Sequence, residues 1–536
     1  MFRFLVFFLL VGIATQAQPG WSDDLLLVPE KTDYKKTSTY ADVMAFLSAQ
    51  SAKSKDIRVI AMGKSPGGKD IPVAILAHPM VNSAAEAKAS GKLIIYIQGN
   101  IHAGEVEGKE VVMMQIRELL TVSPQTLFDQ LIILFAPIYN TDSNDMMAFG
   151  RRPTQENSPP EVGIRENSQG LDLNRDGVKM EAYETNGLFR LVNEWDPQLF
   201  VDLHTTNGTW HGWDLTWAPS YYYAGEKAPY DFTVKMLKDI SKIVPEKYAI
   251  KFGPYGDYDL RDNGWPAKKF FTYNHHPRYL VNQFGLRNRM AILSEAFSHE
   301  PFEKRIYSTN AFVTEIIHYA ADHAVEIKSI NKKSEEETID LYTKLAGNAK
   351  KGVRFKMVPS EVLYNMPSYD YKLDSATGQY KHTMMHTTLD SVVYYGGFTA
   401  EEESVIPTGY IFSKSLKSIA DNLVKHGIKV DVLTQTRKFS GDVFEIEKYE
   451  TAQRKFEGHQ MARVDGKFVA AHKKFKKGDF VVNLAQPLGH LAFYLLEPAS
   501  DDGLVNWNFF DESIKKQKSQ NNPITYPVFR YYNTSK

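Results

Sequence analysis

Two short stretches carry residue types suited to holding a divalent cation. Asn100-Ile101-His102-Ala103-Gly104-Glu105 sets an imidazole and a carboxylate three residues apart, so both side chains can converge on one ion from a tight turn or a helix start. His204, in Asp202-Leu203-His204-Thr205-Thr206, follows Glu105 by 99 residues. Two imidazoles and one carboxylate fill three corners of a tetrahedral zinc site and leave the fourth for water, the pattern of catalytic rather than structural zinc. A lone His-x-x-Glu is a weak motif. Its weight here comes from what precedes it.

Each of these stretches follows a run of the kind that forms a buried strand. Leu93 to Gln98, Leu131 to Ala136, Leu199 to Asp202 and Met290 to Leu293 are continuous apolar or β-branched segments, the pattern of strands covered on both faces. Between them lie helical patterns, such as Val111 to Leu120 with Val111, Val112, Ile116, Leu119 and Leu120 on one face. Strands alternating with helices imply an α/β sheet with a substantial parallel component. Ligands of such sheets bind outside the carboxyl ends of the strands. The four runs deliver His102 and Glu105, then Asn140 and Asp142, then His204, then Glu295 to that edge.

Composition narrows the chemistry further. The chain has 536 residues, of which 43% are hydrophobic, which implies two or three domains. Lys plus Arg is 63 against 64 for Asp plus Glu, so no global field favours nucleic acid or an acidic membrane face. Cysteine is absent, which excludes disulfides, thiolate metal sites, iron–sulfur clusters and a cysteine nucleophile. Arg3, the apolar run Phe4 to Ile13 and the small residues at Thr15-Gln16-Ala17 read as a signal peptide over residues 1–17. That run is about half of the roughly 20 residues a spanning helix needs, and no later segment is long and apolar enough, so stable membrane insertion is not expected. The expected location is periplasmic or extracellular.

Taken together, the motifs resemble the zinc metallocarboxypeptidase (funnelin, carboxypeptidase A-like) family. The resemblance rests on Asn100 to Glu105, Gly170-Leu171-Asp172-Leu173-Asn174-Arg175, Asp202-Leu203-His204 and Leu293-Ser294-Glu295, in that order, over roughly residues 35 to 325. It implies a mixed, mostly parallel eight-stranded sheet flanked by helices, a bound Zn2+ and a peptide substrate. It further implies that His102, Glu105 and His204 are the zinc ligands and that Glu295 is the general base acting on a zinc-activated water. Arg165, nine residues before Asn174, would polarise the carbonyl, with Arg151 and Arg152 as rivals. Asn174 and Arg175 would hold the terminal carboxylate, and Asp172 would fix the His102 tautomer from behind. Asn174-Arg175 alone would suit a surface turn, but Leu171 and Leu173 alternate with Asp172 and Asn174, which reads as a strand-like segment with both polar residues on one side. Tyr273, 22 residues before Glu295, would close over the substrate, with Tyr255, Tyr258 and Tyr279 as neighbours.

Departures from the family pattern mark what is special to this chain. Asp176 follows Arg175, and Trp210, Trp213 and Trp217 cluster after His204, as a specificity wall or, by default, a core patch. The catalytic domain is expected over 18–325, a polar, lysine-rich boundary with a surface helix near Thr338 to Ala346 over 326–352, and an accessory β-rich domain over 353–536. Within the latter, Ile406 to Ile428 reads as a small αβ unit. Pro487 to His490 and Leu496 to Gly503 read as turns, and Trp507, Phe509 and Phe510 as a binding platform for sugar or peptide or, more plainly, as packing against the catalytic domain. Other readings of the same residues are a zinc amidohydrolase acting on peptidoglycan peptides or acylated amino acids, and a binding module that has lost its chemistry. All three ligands and the base are present, which argues against the last.

Overall fold

The computed structural model of the chain describes residues 25–121, 126–221, 223–519 and 524–532; the stretch 1–17 lies outside them. Eight strands form the central sheet: β1 (Ile57–Lys64), β2 (Asp70–Leu76), β3 (Leu93–Gly99), β4 (Leu131–Ala136), β5 (Leu199–Thr205), β6 (Leu215–Pro219), β7 (Phe252–Pro254) and β8 (Met290–Ala296). Their order across the sheet is β1-β2-β4-β3-β5-β8-β6-β7. The four central strands β4, β3, β5 and β8 run parallel, while β1, β2 and β6 add antiparallel pairings.

All residues of β3, β4, β5 and β8 are buried. Alternate residues enter different cores: Ile95, Ile97 and Val201 face one side with Val112, Ile240 and Phe312, while Tyr96 and Phe200 face the other with Leu188, Phe189 and Phe284. Two covered faces explain why these strands read as unbroken apolar runs rather than as alternation. The helices α1 (Tyr40–Lys53), α2 (Glu107–Thr121), α3 (Tyr183–Trp195), α4 (Lys227–Tyr248) and α5 (Phe302–Asp322) supply that cover. Among the described residues no helix is long and apolar enough to cross a membrane.

Two strands run further than their apolar cores suggest. β5 continues to Thr205 and β8 to Ala296, so His204 and Glu295 stand on strands rather than beyond them. Polar side chains at a sheet's carboxyl edge keep the ladder but end the hydrophobic signal. The segment around Asp172 is a 3₁₀ turn, Leu173–Arg175, not strand-like: the Asp172 carboxylate accepts from Asn174 N at 2.9 Å and curls the chain.

The boundary region is likewise more ordered than its composition suggests. Residues 324–344 form one helix, α6 (Ala324–Lys344), that buries Ile327, Asn331, Thr338 and Tyr342, a stripe too narrow to register against its lysines and glutamates. Beyond it, a six-stranded sheet and a long hairpin (Leu363–Asp374 with Gln379–Tyr395) confirm the β-rich character of the C-terminal region. Strand Gly409–Phe412 and helix Lys417–Lys425 supply the small αβ unit. The segment read as a turn at Pro487 to His490 instead opens helix α7 (Gly489–Leu496), every residue of which is buried.

This region is not a loosely tethered appendage. The hairpin pairs with Lys269–Phe271 of the N-terminal region, and Val178, Ala224 and Leu286 share a core with Tyr342, Phe493 and Trp507.

Candidate active site

At the carboxyl end of β3 the chain turns sharply. Asn100 takes a left-handed conformation (φ 64°) and its side-chain amide donates to Ala103 O at 3.2 Å. Glu105 N then donates to His102 O at 2.9 Å, closing the turn just before α2. A Cβ on Gly99 would sit 2.6 Å from the Gly108 carbonyl carbon, so only glycine lets α2 start this close to the strand. On the neighbouring strands, His204 of β5 lies in register with Glu295 of β8. The elements therefore bring His102, Glu105, His204 and Glu295 into one cleft, whose wall also includes Arg165, Asn174, Arg175 and Tyr273.

Ligand atoms of His102, Glu105 and His204 all lie within 4.8 Å of one another, and all three residues are buried. Glu105 bridges the imidazoles: Oε1 is 2.9 Å from His102 Nδ1 and Oε2 is 3.0 Å from His204 Nδ1. Behind each ring stands a carboxylate. Asp172 Oδ1 is hydrogen-bonded to His102 Nε2 at 3.1 Å, whereas Asp202 Oδ2 lies 3.1 Å from His204 Nε2 as an ion pair that lacks hydrogen-bond geometry. This pairing favours a proton on each Nε2 and leaves each Nδ1 lone pair facing Glu105. Asp202 escaped sequence reasoning; its position two residues before His204 on the same strand face was the available signal.

The electrostatics favour a positive charge at the centre. Burial alone would raise the Glu105 carboxyl, but His102 and the Arg152 guanidinium, 2.7 Å from Oε1, hold it well below the usual carboxylate range. Burial would lower the His204 imidazole, yet Asp202 and Glu105 push it well above its ordinary value. Asp172 is held low despite burial by His102 and then by Arg165 and Arg175. Glu295 differs. Burial pushes its carboxyl up to about 8, against the pull of His204 and with Glu105 adding to the rise. Its Oε2 is buried with no hydrogen-bond partner among the described residues. A buried carboxylate oxygen left unpaired is costly unless a ligand or water completes it. The N₂O donor set and this orphaned oxygen fit a zinc ion with an adjoining water.

Three guanidiniums line the cleft. Arg165 donates from Nε to Asp172 Oδ2 at 3.0 Å and sets Nη1 3.3 Å from His102 Nδ1. Arg152 takes Glu105, while its neighbour Arg151 is exposed and outside the cleft wall. Arg175 donates to Asn174 O at 3.0 Å and lies under the Tyr279 ring, 4.5 Å from its centroid. The Asn174 side-chain oxygen accepts from Leu280 N at 3.1 Å. Tyr273 reaches the cleft wall, but its hydroxyl is turned to Asn282 Oδ1 at 3.0 Å; Tyr255 and Tyr279 line the cleft beside it, whereas Tyr258 bonds Ser368 outside it. The tryptophans stand away from the cleft wall: Trp217 is in the core, Trp213 packs against Gly253, and Trp210 stacks between His299 and His382.

Residues 43–247, which include all three candidate ligands, match the zinc carboxypeptidase family model. Carboxypeptidase 2 of Trichophyton tonsurans is 21% identical over 499 residues, covering 87% of this chain and 81% of the relative, and carboxypeptidase 2 of Trichophyton rubrum gives the same figures. At that coverage the likeness runs beyond residues 43–247 into the C-terminal region. Among solved structures, a metallo-carboxypeptidase from Burkholderia cenocepacia aligns with 54% of this chain and 70% of its own at 14% identity and a TM-score of 0.39. Carboxypeptidase A from Helicoverpa armigera aligns with 54% and 75% at 14% identity and a TM-score of 0.38.

Proposed function

We propose that this chain is an exported zinc metallocarboxypeptidase that removes residues from the C-terminal end of peptides. The observation that carries the reading is the convergence of His102, Glu105 and His204 beside a buried, unpaired Glu295 oxygen, with the Arg175 fork in the same cleft. His102 Nδ1, His204 Nδ1 and a Glu105 oxygen would hold the metal. When bound, zinc supplies Lewis acidity and brings a water within reach of deprotonation near neutral pH.

The chain's own residues do the rest. Asp172 fixes the tautomer and orientation of His102 by its hydrogen bond, and the Asp202 charge favours a proton on His204 Nε2. Arg175, with Asn174 beside it, takes the substrate's terminal carboxylate, because a guanidinium fork matches two carboxylate oxygens. That anchor places the last peptide bond near Glu295 and Arg165. Glu295 accepts a proton from the attacking water and later delivers it to the leaving amine. An added cation lowers its pKa from the raised value, which brings a base and an acid of the same group within reach at neutral pH. Arg165 stabilises the developing oxyanion. Tyr273 and Tyr279 wall the site, and for Tyr273 to touch substrate its hydroxyl must leave Asn282. The signal-like N-terminus supports an exported location.

The metal is the point to test first. Purified protein should hold one zinc per chain, lose peptide hydrolysis to a chelator and regain it with zinc. His204→Ala should bind less than a tenth of that zinc. Stoichiometric zinc in the variant would remove His204 from the ligand set.

A further inference from the structure

The segment Tyr273 to Asn282, a loop that runs into a short helix from Leu280, contributes to one wall of the cleft and is held by the C-terminal region. Arg278 is the grip. Its backbone N and its Nε each donate to Asp502, at 2.9 Å, and its Nη2 lies 2.6 Å from Asp502 Oδ1. Asp502 is fully buried and also accepts from Trp507 Nε1 at 3.0 Å, while the Trp507 ring lies 4.9 Å from the Arg278 guanidinium carbon. The adjoining Asp501 accepts from His275 Nε2 at 3.1 Å, from Phe355 N at 3.0 Å and from the Tyr494 hydroxyl. Although His275, His276 and Asp501 are close enough to suggest a second cation site, both Asp501 oxygens are already engaged by these donors.

What the grip fixes is the next residue. Arg278 O accepts from Gly177 N at 3.0 Å, and Tyr279, immediately after it, lays its ring on Arg175. Leu280 N then bonds the Asn174 side chain. A continuous path runs from buried Asp502 through Arg278 to Tyr279, Arg175 and Asn174. A fixed aromatic face restricts the rotamers of the long arginine side chain, and a small misplacement of a substrate anchor costs much more than its distance suggests.

We infer that Asp502 is a positioning residue for substrate binding: through Arg278 it holds Tyr279 against Arg175 and so sets the geometry with which the terminal carboxylate is received. The inference rests on the proposed carboxypeptidase reading. It gives the C-terminal region a function in the site without placing any of its atoms on substrate, and it names the element whose loss would loosen recognition while leaving the metal and the base in place.

The test uses the zinc-loaded, full-length enzyme with a peptide as free acid and as C-terminal amide. Asp502→Asn should raise KM for the free acid about tenfold. The kcat, the zinc content and the kcat/KM for the amide should stay within a factor of about two, well inside one tenfold step. Arg278→Gln should give the same pattern, and the double variant should be no worse than either single, since both break one path. Trp507→Phe, which removes only the indole N–H and keeps a ring under Arg278, carries the same test if the buried charge change costs the fold. It should shift the free-acid KM in the same direction. A free-acid preference that these variants leave intact, or a parallel loss on acid and amide, overturns the inference. A wild-type enzyme with no preference for the free acid overturns the carboxypeptidase reading itself, and this inference with it.

Discussion

Replacing Arg175 by alanine should abolish the distinction between a chain end and an internal bond. Among the described residues its one hydrogen bond goes to Asn174 O, and its nearest carboxylate, Asp172 Oδ2, is 3.9 Å away. Asp172 spends its hydrogen bonds on Arg165, His102 and Asn174 N, so Arg175 keeps N–H donors free for a ligand. The side chain is 21% exposed, which leaves the fork facing the cleft in a largely water-excluded position. A charge-assisted hydrogen bond there is worth about 1.5 to 3 kcal/mol, roughly ten- to a hundredfold in kcat/KM. Wild-type enzyme should therefore cleave a free-acid peptide at least about tenfold more efficiently than its amide, by progress curves under limiting substrate. Arg175→Ala should bring the free acid down to the amide's level and change the amide by less than about threefold, a small part of one binding contact. Equal losses on both substrates would show that Arg175 supports structure rather than recognition. A preference that survives the substitution would move the anchor to Arg152.

Two further outcomes are expected. Glu295→Gln should retain zinc yet lose kcat by a factor on the order of 10² to 10⁴, the scale of general acid–base catalysis; near-normal turnover with bound metal would place the base elsewhere. Stability should fall as pH drops below about 6.5, the ordinary imidazole value. Burial pushes both His211 and His426 down to about 3, so between these values the unfolded chain binds protons that the folded chain refuses. That difference costs about 1.4 kcal/mol per histidine for each pH unit below 6.5. Denaturant midpoints from pH 7 to 5 should show the decline, and His426→Gln should flatten it by one proton; an unchanged slope would refute the assignment.

Much of the N-terminal α/β region is legible in sequence because its central strands are buried on both faces. Hydrophobicity alone then marks Leu131–Ala136 to the residue and finds the starts of β3, β5 and β8. The same signal fails where function begins. Strand ends that carry His204 and Glu295 are polar, so the apolar run stops while the ladder continues. The 3₁₀ turn at Leu173–Arg175 is set by a side-chain cap from Asp172, which local alternation does not reveal. Helix α6 was obscured for a related reason: it buries one narrow stripe, and its lysine- and glutamate-rich remainder dominates the composition.

The residues that touch the metal site are legible; those that hold its geometry are less so. His102, Glu105 and His204 announce themselves by donor type, because few arrangements other than metal binding bring two imidazoles and a carboxylate to strand ends. Asp202 supports His204 from the same strand, yet an aspartate in a buried run has no spacing that distinguishes support from catalysis. Asp502 lies 224 residues from the Arg278 it grips, a separation over which no local pattern operates. Long-range ion pairs of this kind become visible only when packing has fixed both partners. Asp502 is fully buried, so its charge is tolerable only because Arg278 and Trp507 meet it. Removing the Asp502 carboxylate strands both the Arg278 guanidinium and the Trp507 N–H, and removing the Arg278 side chain leaves that buried charge with only the Trp507 N–H and a backbone N–H. That mutual dependence ties the C-terminal region to the cleft and makes substrate recognition sensitive to a residue that never meets substrate.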